Sequence, residues 1–168
     1  MKRKILTFLF VLMVLPCVFL LTACATNVAG KTYEFETINA EISSDISDES
    51  LSALAVSLGL SASANKSDVE KKLNSSMQAL TNTLKEKENS ATFNTDGTMS
   101  VITNDVQKDY VWSQKGSVVT VNEVFEDGTI DGGNAQELKV VSASRICVKL
   151  DSMSGDGYTV KMFYRVVA

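Results

Sequence analysis

The sequence predicts a mainly β domain: about eight antiparallel strands, closed into a barrel or curled into one sheet, with two helices inserted between strands 1 and 2. Three observations carry this. Hydrophobicity alternates with a period of two from Ala91 to the end of the chain. Turn signals such as Asp96-Gly97 and Gly155-Asp156-Gly157 separate the alternating runs, so most neighbours are hairpins. The single proline, Pro16, lies in the N-terminal apolar run, which leaves every later ladder free of a missing donor. Closure is favoured because a meander of this length otherwise exposes two pairing-competent edges.

The chain opens with Lys2, Arg3 and Lys4, followed by an uncharged run from Ile5 to Ala23. A basic start, an apolar run and small residues at its end form the pattern of an export signal. Leu21-Thr22-Ala23-Cys24 resembles the lipobox of bacterial lipoproteins: an aliphatic residue, a small residue, Gly or Ala, then Cys. The resemblance implies a diacylglyceryl (palmitate-type) group on the Cys24 thiol and cleavage just before it. It divides the chain into a signal peptide over 1–23, a lipidated tether over 24–30 and a domain over 31–168. Two acyl chains hold a protein stably at a bilayer where one does not. An uncleaved helix is the competing reading, since the run is long enough to span; Pro16 in its middle and Cys24 at its end favour the signal. Extended, Ala25 to Gly30 reach about 20 Å, so the domain is expected close to the outer face of the membrane.

Lys31 to Ile38 alternates, with Tyr33, Phe35 and Thr37 on one face, and reads as the first strand. Ser47 caps a helix with Asp48 and Glu49 in its first turn and an apolar stripe of Leu51, Leu54, Ala55 and Leu58; Gly59 stops it. After a Ser/Ala spacer, Ser67-Asp-Val-Glu70 forms a capping box for a second helix over 67–88. Val69, Leu73, Met77, Leu80 and Leu84 make its single apolar stripe. Strands follow at 91–95 and 98–102 around Asp96-Gly97, at 109–113 and 117–121 around Gln114-Lys115-Gly116, at 137–141 and 145–150 around Ser142-Ala143-Ser144, and at 158–166.

Gly30-Lys-Thr-Tyr33, Leu58-Gly59-Leu60, Phe93-Asn-Thr-Asp-Gly-Thr98, Tyr110-Val-Trp112, Gly116-Ser-Val-Val-Thr-Val121 and Met162-Phe-Tyr-Arg165 occur in an order that resembles the small lipocalin-like domains of bacterial, often Gram-positive, surface lipoproteins. The resemblance spans most of residues 29–168. It implies a calycin-type barrel whose floor is closed by an aromatic from strand 1, here Tyr33, against a basic residue near the end of the last strand, here Arg165. Tyr33 stands where the family usually has Trp, and the second helix is longer than the usual insertion. That length leaves both an open interior and one filled by the helix as alternatives.

The full chain carries a net charge of −4, and removing the leader's Lys2, Arg3 and Lys4 takes it to −7. So acidic a domain is a poor partner for nucleic acid and is expected to stand slightly off anionic headgroups. With no histidine, imidazole ligands and imidazole bases are excluded. No Gly-x-Ser-x-Gly elbow and no phosphate-binding glycine loop occurs. The loop from Glu126 to Asn134 offers Asp127 and Asp131 as weak calcium candidates, without a Glu at the twelfth position. Tyr110 and Trp112 lie on one strand face and could line a ligand cavity or fill the core; with Tyr33 and Arg165 they are the candidate ligand-binding residues. Cys147, with Cys17 and Cys24 in the leader and lipobox, has no partner for an internal disulfide; it reads either as a reactive thiol or as a small buried side chain beneath a helix. The expected function is a lipid-anchored extracytoplasmic module, without cofactor, that binds a small apolar ligand or a protein partner. The alternatives are an envelope lipoprotein with a solid barrel and a carboxylate-dependent hydrolase.

Overall fold

The computed structural model describes residues 26–167. Its elements are β1 (Lys31–Ile42), α1 (Asp48–Ser57), α2 (Lys66–Lys85), β2 (Asn89–Phe93), β3 (Thr98–Thr103), β4 (Val106–Lys115), β5 (Val118–Glu123), β6 (Gln136–Ser142), β7 (Arg145–Lys149) and β8 (Tyr158–Val166), with a single 3₁₀ turn at Asp151–Met153. Each strand pairs antiparallel with the next and β8 returns to β1, so the eight strands close into a barrel. Both helices fall between β1 and β2.

An up-and-down barrel has two ends. The start of β1, the turns after β2, β4 and β6, and the end of β8 form the floor. The β1–α1 link, the turn after β3, the loop 124–135 and the segment 150–157 form the rim.

β1 runs four residues beyond the sequence expectation. A register shift between Phe35 and Thr37 inserts one extra residue against β8. The bulge breaks the period of two. Tyr33 and Phe35 precede it on the inner face, and Ile38, Ala40 and Ile42 resume that face after it. Thr37 is turned outward, opposite Phe163 in the ladder.

β1 pairs with β2 only from Lys31 to Glu34. Beyond that its edge is free of strand partners, and α2 lies along it. The Thr81 hydroxyl accepts from Ile38 N–H at 3.0 Å. The Asn74 amide accepts from Ala40 N–H at 2.9 Å and donates to Ala40 C=O at 3.0 Å. The helix thus supplies the hydrogen bonds a neighbouring strand would have made. Its stripe of Leu73, Met77, Leu80 and Leu84 packs on Ile38, Ala40, Val160 and Met162. α2 begins two residues earlier than the capping box suggests: Asn65 is the cap, its side-chain oxygen accepting from Asp68 N–H at 3.0 Å while its NH₂ donates to the Asp68 carboxylate. α1 follows expectation, with the Ser47 hydroxyl accepting from Ser50 N–H at 3.1 Å and Gly59 closing it at φ +76°.

The sequence left residues 103–108 between strands. They form instead a tight hairpin, because Asn104 and Asp105 both take positive φ, 52° and 67°, the conformation of a two-residue type I′ turn. β4 accordingly starts at Val106.

Candidate functional site

The barrel interior is the natural place to look for a ligand. Its lower part is filled by Val28, Tyr33, Ala91, Phe93, Met99, Val119, Val121, Leu138, Val140 and Ile146, none more than 8% exposed. Phe93 sits at the centre of an aromatic chain. Tyr33 meets it edge-on at 5.7 Å and Trp112 meets it edge-on at 5.5 Å, a favoured quadrupolar arrangement. Trp112 donates its indole N–H to the carbonyls of Thr98 at 2.9 Å and Asn94 at 3.2 Å. Tyr110 is half-buried against the same core, opposite Glu123 in the ladder; burial, and then the Glu123 carboxylate, push its phenol pKa up. The candidate ligand-lining aromatics Tyr33, Tyr110 and Trp112 therefore all pack into the core, Tyr33 and Trp112 against Phe93. The Tyr33 hydroxyl is buried without a hydrogen-bond partner, and burial pushes its pKa up.

The floor is not closed as the family resemblance implies. Tyr33 pairs with Val166 in the ladder and Glu34 with Arg165. Alternation therefore turns Arg165 to the opposite face from Tyr33, and it is exposed. The floor is sealed by the segment before β1. Val28 is fully buried among the core side chains. The Gln114 amide oxygen accepts from Val28 N–H at 3.1 Å, and its NH₂ donates to Thr26 C=O at 2.9 Å. Gly30 N–H donates to Phe93 C=O at 2.7 Å. Of the expected tether, Thr26 to Gly30 are thus built into the barrel. Cys24 lies outside the described residues.

On the outer face the basic partner of an aromatic is Arg145. Its guanidinium lies 4.1 Å from the Phe163 ring centroid and its Nε donates to Glu36 at 2.6 Å. Cys147 is buried on that same face, opposite Lys139 and Phe163 in the ladders. α2 packs on the other, inward face, so the thiol is not beneath a helix. Burial pushes its pKa up, with the Lys161 and Lys139 charges opposing, which keeps it in the unreactive protonated form at neutral pH.

Asp127 and Asp131 serve the loop itself. Asp127 accepts from the Thr129 N–H at 2.9 Å and hydroxyl at 2.6 Å. Asp131 accepts from Gly133 N–H at 2.9 Å and from the Asn134 NH₂ at 2.7 Å. These bonds hold both carboxyls below the usual carboxylate range. Among the described residues no group of three or more His, Cys, Asp or Glu side chains converges as a metal site.

Clefts open beside the helices. One of about 420 Å³ lies between the start of α1 and the turn before β8, with Asp45 and Asp156 in its wall. Another of about 450 Å³ lies where β1 parts from β2, between Phe35 and Leu84. In the first, Ser50 donates to Asp156 at 2.7 Å and Ser43 donates to Asp45. The Ser43 bond holds the Asp45 carboxyl low, the opposite of the shift a general acid needs.

No family model, curated protein or solved structure matches this chain.

Sequence reasoning missed Val28, Gln114, Asn74 and Thr81. Val28 is a lone apolar residue in a short polar segment, and its role depends on a partner 86 positions away. Asn74 offered a usable signal: a polar side chain beside the apolar stripe, one residue after Leu73, at a place where the helix touches the sheet.

Proposed function

We propose that this protein is a lipid-anchored, extracytoplasmic module of the bacterial cell envelope, lipocalin-like in fold and non-enzymatic, that works through its outer surface and not through a ligand held in the barrel. The observation that carries this reading is the packing of the interior: a floor plugged by Val28, an aromatic centre in mutual contact, and α2 laid over the inner face of the β1–β8 ribbon. It favours the solid-barrel alternative over the apolar-ligand reading. The lipobox-like Leu21-Thr22-Ala23-Cys24 supports the anchor, and the absence of histidine together with lowered, hydrogen-bonded carboxyls supports a non-enzymatic role. Surface features suited to a protein partner stand at the rim, where Val106, Phe125 and Ile130 are 61%, 49% and 56% exposed.

A small-ligand reading keeps one support, the unpartnered Tyr33 hydroxyl in the interior. Native mass spectrometry of the full chain produced in a bacterium separates the two. The solid-barrel reading expects the chain cut before Cys24, carrying a diacylglyceryl group and nothing else. A co-purifying small molecule at one per chain overturns it. An unprocessed or unlipidated chain overturns the anchor.

A further inference from the structure

We infer that the barrel floor is a membrane-apposed face that engages anionic lipid headgroups. The acidity of the chain conceals this face, because its charge is unevenly placed. Lys31, Lys115 and Lys139 lie at or next to the floor: Lys31 opens β1, Lys115 ends β4 and Lys139 pairs with Val118, the first residue of β5. Lys31 Nζ reaches the Ala143 carbonyl in the β6–β7 turn at 3.2 Å, beneath the barrel. Arg145 and Arg165 add cations at the first residue of β7 and the last but one of β8; Arg145 is paired with Glu36, and Arg165 stands opposite Glu34 in the ladder. Asp96 is the carboxylate of the floor turns, and it accepts from the Thr98 N–H and hydroxyl at 2.9 and 2.7 Å; Glu137 lies two residues before Lys139 on β6. The acids gather instead at the rim, among them Asp45, Asp105, Glu126, Asp127 and Asp156.

Three exposed valines accompany the lysines. Val118, Val141 and Val167 are 37%, 48% and 39% exposed, at the start of β5, near the end of β6 and just after β8. Cations around small apolar side chains suit a headgroup layer over a fatty interior.

The chain's own path supplies the contact. This step rests on the proposed reading that the residues before Thr26 enter the membrane. Because Thr26 is already bonded to Gln114 in the floor, only Ala25 separates it from Cys24. Two residues span about 7 Å at full extension, less than the screening length of roughly 8 Å at physiological salt, so the floor lysines feel headgroup charge. The same geometry holds whether the membrane receives an acylated Cys24 or the apolar run Ile5 to Ala23 as a helix.

Trp112 is the only tryptophan of the chain and packs against the carbonyls of Asn94 and Thr98 at the floor turn, which makes it a native reporter of this face. The full chain is mixed with vesicles of pure phosphatidylcholine, or of phosphatidylcholine with 30 mol% phosphatidylglycerol, carrying dansyl headgroups, and energy transfer from Trp112 is read at low and high salt. Transfer is expected to be greater with phosphatidylglycerol and to lose that excess in high salt. Replacing Lys31, Lys115 and Lys139 together by Gln is expected to remove the excess and, in a partition assay on the same vesicles, to weaken phosphatidylglycerol-dependent association by at least ten-fold. Replacing Lys66, Lys71 and Lys72, at the start of α2, by Gln changes net charge equally and is expected to do neither. Equal transfer with and without phosphatidylglycerol overturns the inference, as does an equal loss in both triple variants. A chain that stays free of phosphatidylcholine vesicles but still transfers energy to the anionic ones sinks the anchor reading and supports the anionic face.

Discussion

Tyr33 shows how a single side chain can serve the fold imperfectly. Its ring fills the floor of the core against Phe93, yet its hydroxyl is buried without a partner. An unsatisfied buried hydroxyl costs about 1–3 kcal/mol. Tyr33→Phe keeps the ring and removes the penalty, so it is expected to raise stability by about 1 kcal/mol, read as a higher urea midpoint at unchanged slope. A lowered midpoint would mean that the hydroxyl has a partner. The buried tyrosines also make stability depend on alkaline pH. Burial pushes Tyr164 up to about 12 from an ordinary 10.0 and raises Tyr33 and Tyr110 as well. The fold prefers the neutral phenol. Stability is therefore complete below pH 10 and is lost as pH rises through 10 towards 12, because the unfolded chain releases the proton first. Melting temperature against pH should fall over that window, and Tyr164→Phe should make the fall shallower. At this scale the sequence placed the aromatics on strand faces but settled neither whether Tyr110 and Trp112 fill the core nor where each polar tip goes. Arg165 was expected beneath Tyr33; one step of register along β8 puts it on the other face, where Arg145 instead covers Phe163.

At the scale of elements, the helices and hairpins were legible because local chemistry fixes them: the Ser47 cap, the α2 stripe and the Asp96-Gly97 turn. Boundaries failed where local signals compete or where geometry is non-local. Asn65 outcompetes Ser67 as the α2 cap, since its amide can bond both the N–H and the carboxylate of Asp68. The β1 bulge hides the last four residues of the strand from a period-two search. The less visible element-level device is the edge repair of β1 by α2. Removing it exposes the requirement directly. Thr81→Val keeps shape but leaves Ile38 N–H without its acceptor, and Asn74→Ala strips Ala40 of both bonds. Each is expected to destabilise by about 1–3 kcal/mol in chemical denaturation and to speed amide exchange at Ile38 or Ala40 selectively. Wild-type stability and exchange in both variants would mean that α2 merely rests on the sheet.

For the whole molecule, closure of the barrel was readable from strand count and turn spacing, whereas its contents were not. Whether an eight-stranded barrel is hollow depends on which side chains meet across it and on what covers its ends. Here Val28 and Gln114 plug the floor, and α2 covers the inner face of β1 and β8. The same plug places Thr26 at the floor, beside Lys31 and the exposed valines, at the end of the barrel opposite the acidic rim.

The most direct test of the solid barrel is a titration of the folded chain with a long-chain fatty acid below its micelle concentration, followed by Trp112 emission. Trp112 packs edge-on against Phe93 in the filled lower interior, so an occupant there changes its surroundings. A filled interior predicts emission that stays flat across the titration. A saturable change at one fatty acid per chain would contradict it and restore the ligand-binding barrel.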